Sequence, residues 1–310
     1  MPLLLLFPGQ GSQKPGMAKD LAEAFPAARQ VFAQVDAALD ASLATLCFEG
    51  PAEELTRTHN AQPALLAHGA AVWAVVQERV APHVVAAAGH SLGEFSAYHA
   101  AGSLSLADAV RLVRRRGELM FETGEARPGA MAAILGDLQR PIEDICDEAG
   151  AAGIVVPANY NAVEQIVISG EVAGVEKGME LAKAAGAKRA IRLQVSGAFH
   201  SPLMQPAQAG LEAALGAVSW SAPAWPIYSN VTAAPVTDAA SARDLLLRQL
   251  TSPVRWVEVI RNMAAAHPGA MFVEMGPGNV LTGLLKRLAP EHRAVTCGTV
   301  AEVEGLLAGL

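Results

Sequence analysis

The sequence predicts an α/β protein in which a helix-covered parallel sheet carries a smaller α/β insertion, and three observations predict it. Hydrophobic residues fill 52% of the 310 positions and charged ones only 17%, so the chain can bury a large core. Continuous apolar runs at 3–7 and 84–88 end in glycine turns and lead into helical sequence, the pattern of strands buried on both faces. Between residues 130 and 195 the order changes to strand, helix, strand, strand, helix, strand.

Taken in order, the first run passes into Pro8-Gly9-Gln10-Gly11-Ser12-Gln13, a glycine loop at the carboxyl end of a strand, where ligands gather. Helical sequence covers 62–80, then comes the second run, then Gly89-His90-Ser91-Leu92-Gly93, then a helix ending near Gly102. Ser105 and Asp108 can cap the free amides of a helix that continues to about Glu122, and 124–129 reads as a linker. In the insertion the pattern predicts strands over 131–135, 154–158, 165–169 and 190–195 and helices over 141–149 and 172–185. That is the split βαβ, ferredoxin-like order. Beyond Ser196 helices and strands alternate again, with Phe272-Val273-Glu274-Met275 feeding Gly276-Pro277-Gly278. The division that follows is a large unit of residues 1–126 and 196–310 and a small one of 127–195.

A net charge of -7 argues against nucleic acid as a partner, because phosphate neutralisation needs clustered Lys and Arg. The densest basic group, Arg111, Arg114, Arg115 and Arg116, lies on one helix. Cys47, Cys146 and Cys297 are widely spaced and match no metal-ligand pattern, so they read as core thiols of a reducing compartment. The apolar opening has no basic leader and is shorter than a signal segment, and no run reaches the ~18 residues of a membrane helix. A cytosolic protein that binds neither membrane nor metal is expected.

The pentapeptide at 89–93, with a strand before it and a helix after it, has the context of a nucleophile elbow, which makes the large unit α/β-hydrolase-like. Ser91 is then a candidate nucleophile, against the plainer reading of a helix N-cap. The Leu92 amide, at the start of the helix, can receive an oxyanion there, and Gln10 can supply a second donor if its strand lies beside the serine's. A serine needs a base to take its proton. Of eight histidines, His200 sits in a loop, Ser196-Gly197-Ala198-Phe199-His200-Ser201-Pro202, where catalytic groups gather. His90, next to the serine, should project away from the elbow. His59, His68, His83, His99, His267 and His292 lie in helical or exposed contexts. Arg116 has Leu112, Val113, Leu119 and Met120 as helical neighbours, so its guanidinium lies on the apolar face and needs an anionic partner. An internal salt bridge and a substrate carboxylate both satisfy that need. Arg111, Arg114 and Arg115 are expected at the surface.

With these residues in place, the chain resembles the malonyl-CoA:acyl carrier protein transacylase family, which also supplies the acyltransferase domains of fatty acid and polyketide synthases. The resemblance rests on ordered motifs along the whole chain: Phe7 to Gln13, Gly89 to Glu94, Arg115-Arg116-Gly117, Ala158-Asn159-Tyr160-Asn161, Phe199-His200-Ser201, Gln249 to Val254 and Glu274 to Gly278. It implies Ser91 as nucleophile, His200 as base, the Gln10 and Leu92 backbone amides as oxyanion hole, and Arg116 as clamp for the malonyl carboxylate. It implies too that the Gln249 backbone carbonyl orients the histidine in place of an aspartate. Asn159 and Asn161 would line the cleft, and Phe199 resembles the malonyl-selective form, a ring that crowds a methyl branch. The substrates implied are malonyl-CoA and acyl carrier protein, with no cofactor, in a monomer. Carrier proteins are acidic, which points to Lys183, Lys188 and Arg189 or Lys286 and Arg287 as docking cations. The family commonly has Pro-Gly after the second asparagine where this chain has Val163-Glu164, so the hairpin there is expected to differ. Service to a polyketide pathway stays open as an alternative, as do a serine thioesterase and an inactive carrier-binding scaffold.

Overall fold

The computed structural model describes residues 1–310. In chain order its strands are β1 (Leu3–Phe7), β2 (Val84–Gly89), β3 (Gly129–Leu135), β4 (Val155–Ala162), β5 (Gln165–Glu171), β6 (Arg189–Arg192), β7 (Ile227–Tyr228), β8 (Pro235–Val236), β9 (Met271–Met275) and β10 (Ala294–Cys297). They form a six-stranded sheet in the order β10-β9-β1-β2-β7-β8 and a four-stranded one in the order β4-β5-β3-β6. The first is parallel except for the β7–β8 pair. Five consecutive apolar residues suit β1 to the centre, where all five are buried between β2 and β9. The register pairs Phe7 with Gly89, which sets the loop after β1 beside the turn after β2. Ligands of open parallel sheets collect at that end of the strands.

The second sheet is antiparallel throughout, in the order that a split βαβ requires. Along β3, Ala130, Ala132 and Ile134 pack with Ile145, Cys146 and Val175 of the covering helices, while Met131 faces the large core. Period-two alternation thus gives this sheet one face for its own helices and one for the other unit. Backbone bonds fasten the two together: Val254 N–H donates to the Ala158 carbonyl at 2.8 Å, and Tyr160 N–H to the Val254 carbonyl at 2.9 Å.

Three local expectations need correction. The segment 124–129 is not a linker: the helix Leu106–Ala126 runs through Gly124, and β3 begins at Gly129. Gly124 is there for a close approach, since a Cβ on it would lie 2.0 Å from the Ser196 carbonyl. The helix expected over 62–80 starts earlier, at Thr58, because the polar Thr58-His59-Asn60 opening hides it from an apolar pattern. Of the surface arginines Arg111 is exposed, but Arg114 is half-buried and donates to Asn60 Oδ1 at 2.7 Å. Ser105 caps its helix as expected, accepting from the Asp108 amide. The Val163-Glu164 turn joins β4 to β5, and Glu164 pairs with Arg287 at 3.2 Å. All three cysteines are free and buried, and no helix is long and apolar enough to cross a membrane.

Candidate active site

The elbow is tight for a steric reason. A Cβ on Gly89 would lie 1.9 Å from the Gly93 carbonyl, and one on Gly93 would lie 2.2 Å from the Phe7 carbonyl, so neither position admits a side chain. Ser91 between them takes a φ of 52°, a left-handed conformation that costs an L-residue about 1–2 kcal/mol. Asn230 holds it there: its Oδ1 accepts from the Ser91 amide at 2.7 Å and its Nδ2 donates to the Gly89 carbonyl at 2.7 Å. Nothing in the sequence marks Asn230, which lies 139 positions from Ser91. Asn230→Ala should cost about 1–3 kcal/mol of stability and slow acylation of the serine together. Thermal unfolding and burst kinetics check this, and a variant with both unchanged shows that the elbow stands without Asn230.

Ser91 Oγ lies 2.8 Å from His200 Nε2. On the other side of the ring, Nδ1 is 2.9 Å from the Gln249 carbonyl and 3.2 Å from that of Ser252. Both partners accept, so Nδ1 carries the proton and Nε2 is free to take one from the hydroxyl. No carboxylate touches the ring. Burial, then the Arg116 guanidinium, push His200 down to about 3, against the pull of the Gln249 carbonyl, so the imidazole is neutral.

Arg116 is 1% exposed and forms no salt bridge at all. Its Nη1 donates to Gln62 Oε1 at 2.7 Å, and its Nη2 to Ser91 Oγ at 3.1 Å and to Gln249 Oε1 at 2.9 Å. The Phe95 ring lies 5.7 Å from its Cζ, and Nε has no partner. Burial lowers it to about 10, which leaves it charged at neutral pH. A buried cation held by neutral amides and facing a cavity is prepared for an anion.

That cavity, of about 330 Å³, is lined by Gln10, His90, Ser91, Leu92, Arg116, Met120, Asn159, Asn161, Phe199 and His200 among others. Neither the Gln10 nor the Leu92 amide donates to an acceptor within the chain, and the Gln10 side chain is tied to Thr58, whose hydroxyl donates to Oε1 at 2.6 Å. His90 turns from Ser91 to bond Asn161 Oδ1 at 2.7 Å through Nε2 and to pack on Trp256, yet it walls the same cavity rather than leaving it. Four residues of this cluster escaped the sequence reading: Gln62, Asn230, Ser252 and Glu94. Glu94, at the first turn after the elbow, and Ser252 lie within the motifs of the resemblance, but the resemblance gives neither a role.

An imidazole within reach of a serine hydroxyl at the carboxyl edge of a parallel sheet, with idle amides beside it, defines a serine-centred acyl-transfer protein. The chain belongs to the acyl transferase domain family, whose family model matches residues 4–306. It is 49% identical over 304 residues to the malonyl CoA-acyl carrier protein transacylase of Bacillus subtilis strain 168, covering 97% of this chain and 95% of that one. The crystal structure of an acyl-carrier-protein-S-malonyltransferase from Bartonella henselae superposes with a TM-score of 0.95 at 45% identity, over 100% of this chain and 99% of that one. A malonyl-transacylase in complex with its type II PKS acyl-carrier protein superposes with a TM-score of 0.95 at 40% identity, over 100% of both chains.

Proposed function

We propose that the chain transfers a malonyl group from coenzyme A to the phosphopantetheine thiol of an acyl carrier protein, through a malonyl ester on Ser91. One observation carries the reading: Ser91 Oγ lies 2.8 Å from the His200 imidazole and 3.1 Å from the Arg116 guanidinium in one cavity. A malonyl thioester has its carbonyl and its carboxylate one methylene apart, and the pair meets both groups at once. The activities for which these relatives are named support the same substrate and carrier.

In this reading His200 Nε2 takes the hydroxyl proton as Oγ attacks the thioester carbonyl. The Leu92 and Gln10 amides hold the oxyanion until the C–S bond breaks, and the departing thiolate takes the proton back from His200. The carrier thiol then repeats the steps in reverse. A base of this kind contributes ~10²- to 10⁴-fold and an oxyanion donor ~10²- to 10³-fold. Carbonyl partners at Nδ1 stabilise an imidazolium less than a carboxylate would, and an activated thioester tolerates that. Arg116 pairs with the malonyl carboxylate and so disfavours acetyl groups, Phe199 crowds a methyl branch, and Asn159 and Asn161 line the acyl cleft. Coenzyme A and the carrier's phosphopantetheine bear the malonyl group before and after transfer, and no cofactor is needed.

Because His200 is held neutral far below its ordinary 6.5, kcat should show no acid limb near that value between about pH 5 and pH 8. A limb centred there in a pH profile would mean that the ring is solvated. We place the protein in the cytosol as a monomer that supplies extender units for fatty acid synthesis, with an acidic carrier met by exposed cations such as Lys183, Lys188 and Arg189. Arg287 is less suited, being paired with Glu164.

Incubation with malonyl-, methylmalonyl- and acetyl-CoA, with and without carrier protein, tests the reading. Malonyl carrier should form only when carrier is present, with methylmalonyl disfavoured by about 10- to 200-fold. Free malonate released as fast without carrier would make the chain a thioesterase.

A further inference from the structure

Two carboxylates are fully buried in the chain, Glu94 and Glu274. Glu274 is accounted for, since its two oxygens accept from the amides of Leu281 and Thr282 at a helix start. Glu94 lies directly behind the elbow, and the acyl-transfer steps leave it unused. Its Oε2 accepts from Gln249 Nε2 at 2.7 Å and from the Asn230 amide at 3.1 Å, while Oε1 has no partner.

The Gln249 side chain is a relay. It accepts from Arg116 Nη2 on one side and donates to Glu94 and to the Ser91 carbonyl on the other. With a guanidinium on one flank and a carboxylate on the other, only this amide orientation satisfies both. Arg116 and Glu94 are thereby coupled without touching. The titratable groups facing Glu94 are Arg116, from the helix Leu106–Ala126, and Tyr98, on its own helix. Gln249, Ser229 and Asn230 close the remaining sides and carry no charge, and His200 beyond Gln249 is neutral. Arg116 has no other anion near it.

A second carboxylate brought onto Arg116 would set one cation between two anions, all out of water, and carboxylates that share a buried site do not both stay ionised. We propose that Glu94 is the resident counter-charge of Arg116 and takes up one proton from solvent when the malonyl carboxylate docks. The guanidinium then exchanges one anion for another without leaving net charge buried. This rests on reading Arg116 as the malonyl clamp. The proton goes to the carboxyl of Glu94, where Oε1 has no donor to displace. Burial has already raised Glu94 to about 7, against the Gln249 and Asn230 hydrogen bonds and Arg116, and an added anion raises it further. By linkage, malonyl-CoA binding tightens as pH falls toward about 7 and levels off below it, and acetyl-CoA binding does not.

Calorimetric titration of the Ser91→Ala protein just above neutral pH, in two buffers of different ionisation enthalpy, counts protons without chemistry. Malonyl-CoA should take up a measurable fraction of a proton and acetyl-CoA none, and adding Glu94→Gln, which keeps an oxygen acceptor, should remove the uptake. No uptake with malonyl-CoA, or uptake that survives Glu94→Gln, overturns the inference. If Arg116→Ala keeps the full malonyl preference, it is the clamp reading that falls and the inference with it. Should Glu94→Gln not fold, infrared difference spectra of the unaltered protein decide the point. Malonyl-CoA should raise a protonated-carboxyl band, insensitive to ¹³C in the malonyl group, that acetyl-CoA does not raise; its absence refutes the proposal.

Discussion

Replacing Ser91 with alanine is expected to lower malonyl transfer by on the order of 10⁴-fold or more and to leave the protein without a malonyl adduct. In the proposed route the hydroxyl is the covalent station, not one of its supports. There His200 and the Gln10 and Leu92 amides would act on groups bonded to that oxygen and would lose their object when it goes. Ser91 and alanine share the same Cβ, so the backbone at φ 52° is no worse for the change. Arg116 Nη2 loses one acceptor at 3.1 Å but keeps Gln249 Oε1 at 2.9 Å, so the fold should survive. Intact mass after incubation with malonyl-CoA is the direct measurement. A malonyl adduct persisting on the peptide that contains position 91 would refute the role given to the hydroxyl.

Arg116→Ala is expected to collapse the preference for malonyl over acetyl groups by about 30- to 5,000-fold, as truncating one partner of a buried charge pair costs about 2–5 kcal/mol. The loss should fall on malonyl-CoA alone, because acetyl-CoA brings no carboxylate to the guanidinium and serves as the internal control. Arg116→Lys retains a charge but not the fork that reaches Gln62, Ser91 and Gln249 together, and should recover only part of the preference. Competition between the two thioesters, read as a ratio of kcat/KM, gives the number. An unchanged ratio in Arg116→Ala removes the guanidinium from substrate choice.

The parts of this site that were readable in the chain are those written in local pattern. The glycines around Ser91 betray a turn with no room for side chains, and Leu112, Val113, Leu119 and Met120 put Arg116 on an apolar face three and four residues away. The order of strands and helices in the insertion foretells the second sheet. Local pattern misleads where sequence type and packing disagree. Gly124 looks like a breaker and is helical, and Thr58-His59-Asn60 looks like a loop and opens a helix.

By itself the sequence determined the α/β layering, the elbow and the buried arginine, because each depends on side chains within a few positions of one another. Only the tertiary structure decided what those groups face. Gln249 meets Ser91 across 158 positions and Arg116 across 133, and Asn230 reaches Glu94 across 136. Such polar residues have no periodicity to announce them; their partners are chosen by the need to satisfy every buried donor and charge once the sheet has closed over them.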